Sequence, residues 1–236
     1  MSMKTVRFGD AGQAATREFV ARLDRATPAW EEFVGEERLA ALRRQMATLE
    51  AIDRQYGGQA VVQLEGADEL VASILGELAH FHRDLRLAQA DEDLASIVLA
   101  VALWAIRHDV DIAVVEPVVN ALAHRSDRAR SREELAAVFG LMQGVIAHVA
   151  PRLAADLERS NPDRPWRPLH LNFAITAIRT EDPALINHAF DALDAALPDD
   201  RTGFYAEALA LALAPGVAAE VRNQIEKRHL KWTQHG

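Results

Sequence analysis

The stretch Leu94–Ile106, LASIVLAVALWAI, is apolar almost all the way round when it is drawn as a helix. A helix with apolar side chains on every side has to be enclosed by other parts of the protein. The stretch is also shorter than the roughly 20 residues that a helix needs to cross a membrane. We therefore expect a central, buried helix with other helices packed around it.

A second stretch resembles the end of this one. Leu99–Arg107 has the sequence LAVALWAIR and Leu171–Arg179 has LNFAITAIR, so that Leu, two Ala, Ile and Arg coincide in register. Asp109 then matches Glu181. We interpret the two as copies of a unit of about 65–70 residues, the length of two helical hairpins. The alternative is two amphipathic regions drawn from the same Ala-rich alphabet.

Apolar residues recur every three or four positions along much of the chain, which is the spacing of a helix face. One such stripe consists of Leu42, Met46, Leu49, Ile52 and Tyr56, and another of Leu70, Val71, Ile74, Leu75, Leu78, His82 and Leu85. Thr27-Pro28 and Asp182-Pro183 have the form of helix starts. Glu207–Ala214 alternates Leu and Ala as a strand would, but its alanines favour a helix.

The clearest interruption is Ser160–Pro168, SNPDRPWRP, because its three prolines disfavour a continuous helix. We assign residues 161–168 to a linker, 91–160 to a first helical repeat unit and 169–236 to a second. Residues 1–90 show no third copy and form a cap or a separate helical subdomain. The predicted fold is all-α: stacked antiparallel helical hairpins in a short right-handed α-α superhelix, or a compact multi-helix bundle.

Composition narrows the function. The 236 residues include no cysteine, which excludes disulfides, thiolate metal sites and a cysteine nucleophile. The formal net charge of -9 disfavours nucleic-acid binding, which needs a basic surface. Met1–Asp10 lacks the apolar core of a signal peptide, so we expect a cytoplasmic protein that does not bind membranes. No phosphate-binding or dinucleotide-binding glycine motif occurs, and no cofactor is expected.

A faint resemblance supports the hairpin architecture. Consensus positions of tetratricopeptide repeats are matched by Ala174, Phe190, Leu193 and Pro198. His170 and Ala177, however, stand where that family prefers Trp and Tyr. Asp182–Leu193, DPALINHAFDAL, is also similar to the second helix of a HEAT repeat. These resemblances imply stacked helical hairpins and carry no function with them.

One pair of residues points to an enzyme. His108-Asp109, within ALWAIRHDVD, resembles the central motif of HD-domain phosphohydrolases, which are all-helical and metal-dependent. The resemblance implies an upstream histidine, either His80 or His82, and a later carboxylate. That carboxylate would come from Asp156, Asp182 or Asp191. Imidazole and carboxylate together suit a divalent metal that activates water. The alternative is a polar turn between helices.

Two arginines end the matching stretches and suggest a binding groove. Arg107 and Arg179 could bind a carboxylate or phosphate in a shared groove, or each could complement the dipole of its own helix. Further candidate groove residues are Trp104, Trp166, His170 and Asn172. Trp104 equally suits core packing. Trp166 either folds back over the core or belongs to a binding loop.

Three hypotheses of function follow. The first is a non-catalytic helical-repeat module that binds a segment of a partner protein or a second copy of itself, as in a homodimer. The second is a metal-dependent phosphohydrolase that uses His82, His108 and Asp109. The third is a helical bundle with a closed cavity of several hundred Å³ for a small molecule.

Overall fold

The computed structural model describes residues 9–56, 65–87, 93–153, 165–213 and 217–233. These residues form ten α-helices, one short 3₁₀ helix and no strand, which confirms the all-α prediction. The helices are α1 (Gly9–Val34), α2 (Glu36–Tyr56), α3 (Ala67–Leu87), α4 (Leu94–His108), α5 (Glu116–Arg128), α6 (Arg132–Leu153), α7 (Trp166–Thr180), α8 (Pro183–Ala196), α9 (Arg201–Ala212) and α10 (Ala219–Thr233), with the 3₁₀ helix at Pro198–Asp200.

One of the two predicted helix starts is confirmed and the other is wrong. Asp182 caps α8, since its side chain accepts hydrogen bonds from the backbone N–H groups of Ala184 (2.8 Å) and Leu185 (3.2 Å). Thr27 and Pro28 instead lie inside α1. The Thr27 hydroxyl donates to the carbonyl of Leu23 at 2.7 Å, the hydrogen bond of a helix interior. The burial of Leu23 and Trp30 on either side holds the helix together through the proline.

The alternating Leu and Ala residues that begin at Glu207 form a helix, as their alanines favour, since α9 continues to Ala212. The linker predicted at residues 161–168 ends earlier than expected, because α7 begins at Trp166. Trp166–Pro168 forms the first turn of α7, where a proline is tolerated because the first helical N–H groups have no partner within the helix. Residues 161–164 and Asp156 lie outside the described residues.

The chain divides into two compact units, Met1–His124 and Arg125–Gly236. The division falls within α5, inside the region 91–160 that the sequence assigns to a first repeat unit. In unit 1, α1 packs on α2, α3 and α4, and α3 packs on α2 and α4. Both faces of α4 are largely buried, which confirms the central helix expected from its all-round apolar sequence.

In unit 2, α7 packs on α6 and α8, and α9 packs on α10. Contacts between α8 and α9 show that these helices run antiparallel: Arg201 at the start of α9 bonds to the carbonyl of Asp194 near the end of α8. Tyr205, one turn later, stacks edge-on against Phe190, one turn earlier in α8. Because α8 also reverses after the tight turn that follows α7, helices α7 and α9 run in the same direction.

One described stretch, Arg132–Pro151 in α6, is long and apolar enough to cross a membrane by length and composition alone. The core helix of a soluble protein passes the same test. α6 packs along α7, where the rings of Phe139 and Phe173 stack with centroids 4.2 Å apart. α6 thus buries one side, on which Phe139 lies, and leaves the rest of its surface more exposed.

Candidate functional site

The six predicted groove residues lie on two helices. Trp104 and Arg107 belong to α4 in unit 1, and Trp166, His170, Asn172 and Arg179 belong to α7 in unit 2. The two helices have the same length, 15 residues each. Each ends at an acidic residue in the left-handed conformation, with φ of 55° at Asp109 and 54° at Glu181. The two helix ends are therefore alike in backbone geometry.

At the end of α4, the polar side chains face the interior. The Arg107 guanidinium donates to both carboxylate oxygens of Asp53 in α2 at 2.5 Å, and Nε2 of His108 lies 2.5 Å from Asp53 Oδ1. Trp104 donates from its indole N–H to the carbonyl of Leu49 at 3.1 Å. Its ring lies 4.4 Å from that of His108. Trp104 and Arg107 thus join α4 to α2 and line no open surface.

The predicted metal ligands are dispersed. His108 is fully buried against Asp53, whereas Asp109 is exposed and ends the helix. His82 lies on α3 at a cavity of about 80 Å³, whose rim also holds Glu116 and His124. Within the part of the chain that the structure describes, no group of three His, Asp or Glu side chains could hold a metal ion.

Unit 2 has a larger feature, a groove of about 540 Å³ between α7 and α9. Its apolar lining consists of Leu171, Ile175 and Ile178 on α7, of Phe204, Ala208, Leu211 and Ala212 on α9, and of Val217 and Ile225. Ile175 is 45% exposed and Leu211 is 74% exposed, so the groove is open to solvent along its walls. Exposed apolar surface of this kind is typical of a binding site.

The local sequence explains both walls. On α7 and on α9 alike, the apolar residues follow one another at intervals of four and three positions, so each set shares one helix face. On α9 the neighbouring side of the helix carries Tyr205, about 100° round from Phe204, and Tyr205 is buried against α8. The small residues Gly203, Ala208 and Ala212 leave space between the two walls.

One end of the groove is rich in negative charge. Arg167 in the first turn of α7 donates to Asp200 just before α9, at 2.9 and 2.7 Å, and so joins the two walls there. This hydrogen bond holds the pKa of Arg167 above its ordinary value against the opposing effect of burial, and the charge of Glu207 adds to it. Asp199 also lines this end. Two carboxylates thus accompany one guanidinium at this end, and the carboxylate of Glu207 lies near the middle of α9.

The other end of the groove carries Arg179. Its guanidinium donates to the carbonyl of Ser126 at 2.8 Å and to the Ser126 hydroxyl at 3.0 Å, and Asp127 lies 3.8 Å away. The Ser126 hydroxyl is also 2.8 Å from that of Thr176. The Arg179 side chain remains 34% exposed. Arg179 is the one predicted groove residue that lines this groove.

The other predicted residues of α7 lie elsewhere on the helix. Trp166 and His170 are buried, with their rings 4.3 Å apart, so Trp166 covers the core, one of its two predicted roles. Neither ring nitrogen of His170 has a hydrogen-bond partner among the described residues. Burial lowers the pKa of His170 to about 4. Asn172 is half-buried and does not line the groove.

The α9 wall is fixed by a buried carboxylate. Asp194 of α8 accepts hydrogen bonds from the hydroxyl of Tyr205 (2.9 Å), from Arg228 (2.7 Å) and from the indole N–H of Trp232 (3.2 Å). Burial, and then the charge of Asp194, raise the pKa of Tyr205 far above its ordinary value. These bonds join α9 and α10 to α8, which holds the groove wall in place.

Ile175 and Leu211, the most exposed apolar residues of the groove, are absent from the residues predicted from the sequence. The signal that could have found Leu211 is the alternation of Leu209, Leu211 and Leu213. Residues two apart on a helix point in different directions, so one core contact cannot cover all three. Compared with known proteins, the chain matches no family model, no curated protein and no solved structure.

Proposed function

We propose that the protein is a non-catalytic binding module, and that the groove between α7 and α9 holds an amphipathic helical segment of a partner protein. The observation that carries this proposal is the open apolar groove of about 540 Å³ with Leu211, 74% exposed, on its wall. Leaving a leucine so exposed contributes little to folding, and covering it on binding removes apolar surface from water.

The spacing of the walls favours a helix as the occupant. Both walls present apolar residues at intervals of four and three positions, and a third helix with the same spacing on one face can interdigitate with both. Recognition of amphipathic helices in apolar grooves uses anchors at such intervals. An extended segment would place alternate side chains away from the groove and would use fewer of its contacts.

The open form of the groove favours a protein segment over a small molecule. Small-molecule sites bury most of the surface of their ligand and orient it with a few convergent polar groups. Here most polar groups lie towards the two ends, and Ile175 and Leu211 remain exposed on the walls. No observation in the described part of the chain favours a hydrolase centred on His108 and Asp109.

The arrangement of helices is consistent with a helical-repeat architecture, which remains part of the proposal. α7 and α9 run in the same direction in unit 2, as the first helices of successive hairpins do, and α4 and α7 match in length and in their left-handed ends. We expect the module to act in the cytoplasm.

The proposal is tested by selecting a binder and then mapping it. Helix-forming peptides of about 18 residues, long enough at about 1.5 Å per residue to lie along α7, are displayed and selected against the protein. The affinity of the selected peptide is measured by fluorescence anisotropy for the wild type and for Leu211→Glu. We expect at least about a tenfold loss, because a carboxylate in an apolar contact loses its hydration.

Leu230→Glu is the matched control. Leu230 is a leucine in the same unit that is 46% exposed, and it does not line the groove. It should leave the affinity unchanged. Circular dichroism checks that both variants are folded. Enrichment of no peptide, or equal affinity for wild type and Leu211→Glu, would contradict the proposed function.

A further inference from the structure

The charges of the groove specify how the partner lies in it. We propose, on the basis of the proposed function, that the partner helix binds antiparallel to α7 and α9, with basic residues of its C-terminal turn beside Asp199 and Glu207. The inference concerns the chemistry and direction of the bound segment, which the apolar walls alone do not determine.

The end of the groove at the start of α7 and α9 favours a cation. Arg167 there is already bonded to Asp200, which leaves two negative charges lining the groove: Asp199 at this end and Glu207 near the middle of α9. Glu207 is exposed on the rim and acts on Arg167 through its charge. A lysine or arginine of the partner can reach this rim with its charged head while its methylene groups lie on the apolar wall.

The opposite end of the groove, beside the last turns of α7 and α9, favours an anion. Arg179 lines it, and its side chain is still one-third exposed although it bonds to Ser126 and lies 3.8 Å from the exposed carboxylate of Asp127. An acidic side chain of the partner can therefore pair with Arg179. Pairs of this kind on a partly exposed rim determine orientation and choice of partner more than total affinity.

The two preferences agree with the charge pattern that stabilises a helix by itself. Acidic residues are favourable in the first turn of a helix and basic residues in the last turn, because they offset the helix dipole. A partner with that pattern satisfies both ends of the groove only when its C-terminus lies at the start of α7 and α9. Its dipole is then opposed to those of both walls.

A basic partner segment also suits the whole chain. The formal net charge is -9, so the field of the protein attracts cations and opposes the approach of a second copy. A partner protein is therefore favoured over self-association as the source of the helix. Self-association is tested by sedimentation of the wild type and of Leu211→Glu.

The experiment keeps the apolar positions of the selected peptide and rewrites its ends in three forms. One form has Glu in the first turn and Lys in the last, one has the reverse, and one has Gln at all these positions. Affinities are measured for the wild type and for Glu207→Lys at low and high salt. We expect the first form to bind the wild type about fivefold more tightly than the reversed form. That ratio should fall in Glu207→Lys and in high salt.

The end charges of each peptide also change how helical it is when free. Comparing the wild type with Glu207→Lys for the same peptides cancels this difference. A spin label on the C-terminus of the first peptide gives the direction directly, since it should broaden the amide signal of Gly203 more than that of Ala212. Broadening of Ala212 instead, or an affinity ratio that Glu207→Lys does not change, would overturn the inference.

The possible failures are distinguishable. If the Gln form binds, loses affinity in Leu211→Glu and shows no preference of direction, the groove binds helices and only the polarity is wrong. If no form loses affinity in Leu211→Glu, the proposed function itself fails. A wild-type dimer that Leu211→Glu dissociates would assign the groove to a second copy and overturn the inference of a basic partner.

Discussion

The ends of α4 and α7 each carry an arginine, and the two arginines lie in different surroundings. In both helices an arginine precedes the last residue, and an acidic residue with positive φ follows the helix. Arg107 meets the carboxylate of Asp53 and is 6% exposed, whereas Arg179 meets the hydroxyl and carbonyl of Ser126 and is 34% exposed.

The partner of each arginine accounts for the difference. A charged guanidinium can be buried only with an opposite charge beside it, and Asp53 supplies that charge at the end of α4. The nearest acceptors of Arg179 are the neutral groups of Ser126, and its carboxylate neighbour Asp127, 3.8 Å away, is itself 84% exposed, so Arg179 keeps part of its charge in water at the edge of the groove. The same helix end is thus closed by an ion pair in unit 1 and partly exposed beside a groove in unit 2.

The largest expected effect comes from removing each acceptor. Asp53→Ala should lower the free energy of unfolding by about 3–5 kcal/mol, because Arg107 and His108 lose the carboxylate that they share. Ser126→Ala should cost about 1 kcal/mol, since only the hydroxyl is lost and Arg179 keeps the backbone carbonyl of residue 126 as an acceptor. Urea unfolding followed by circular dichroism measures both, and hydrogen exchange of α4 and α7 assigns each loss to its unit. Equal losses would contradict the contrast between the two helix ends.

His170 of α7 extends the comparison to the dependence of stability on pH. His170 is buried without a carboxylate partner among the described residues, and its pKa of about 4 lies below its ordinary value of 6.5. The folded state therefore favours neutral His170. Its contribution to stability is complete above pH 6.5 and falls as the pH drops to 4, by about 3 kcal/mol in all.

His170→Leu should remove this part of the acid sensitivity. The measurement is the urea midpoint of wild type and variant between pH 7 and pH 4. An acid loss as steep in His170→Leu as in the wild type would show that other groups are responsible.

A smaller effect is expected at Tyr205, on the helix that forms one wall of the groove. Tyr205→Phe removes the hydroxyl bonded to Asp194 and should cost about 1 kcal/mol of unfolding free energy. The ring itself remains and still packs edge-on against Phe190. Thermal unfolding measures the change. A loss as large as that of Asp53→Ala would mean that Asp194 depends on this one hydroxyl.

The smallest effect concerns a leucine of the groove. Leu211→Gln should change the free energy of unfolding by less than about 0.5 kcal/mol, because the side chain is largely exposed. Ile97→Ala in the buried face of α4 should cost about 2–5 kcal/mol. Urea unfolding of both variants checks the difference. A comparable loss in Leu211→Gln would show that Leu211 supports the fold, which would contradict its assignment to binding.

Much of the fold could be predicted from local patterns. The all-round apolar sequence of Leu94–Ile106 predicts a buried helix, and Asp182-Pro183 predicts the start of α8, because each depends on residues close in sequence. Thr27-Pro28 shows where such patterns fail. Burial of Leu23 and Trp30 outweighs the local preference of proline, and α1 continues through it.

Less of the site could be predicted. Arg179 was identifiable as a polar residue at a helix end, but Ile175 and Leu211 look like any other apolar helix residues. Their exposure depends on how far α7 and α9 stand apart, and no local pattern encodes that distance. Arg107 was equally plausible as a groove residue, and only its contact with Asp53, 54 positions earlier, places it inside.

The sequence by itself determined the helices, most of their ends and the pairing of arginine with an acidic cap at the ends of α4 and α7, since backbone hydrogen bonds and helix faces depend on near neighbours. Only the tertiary structure decided which of these ends is closed by a carboxylate and which borders a groove. Those outcomes depend on packing between residues tens of positions apart, where burial and charge compensation are determined by the whole unit.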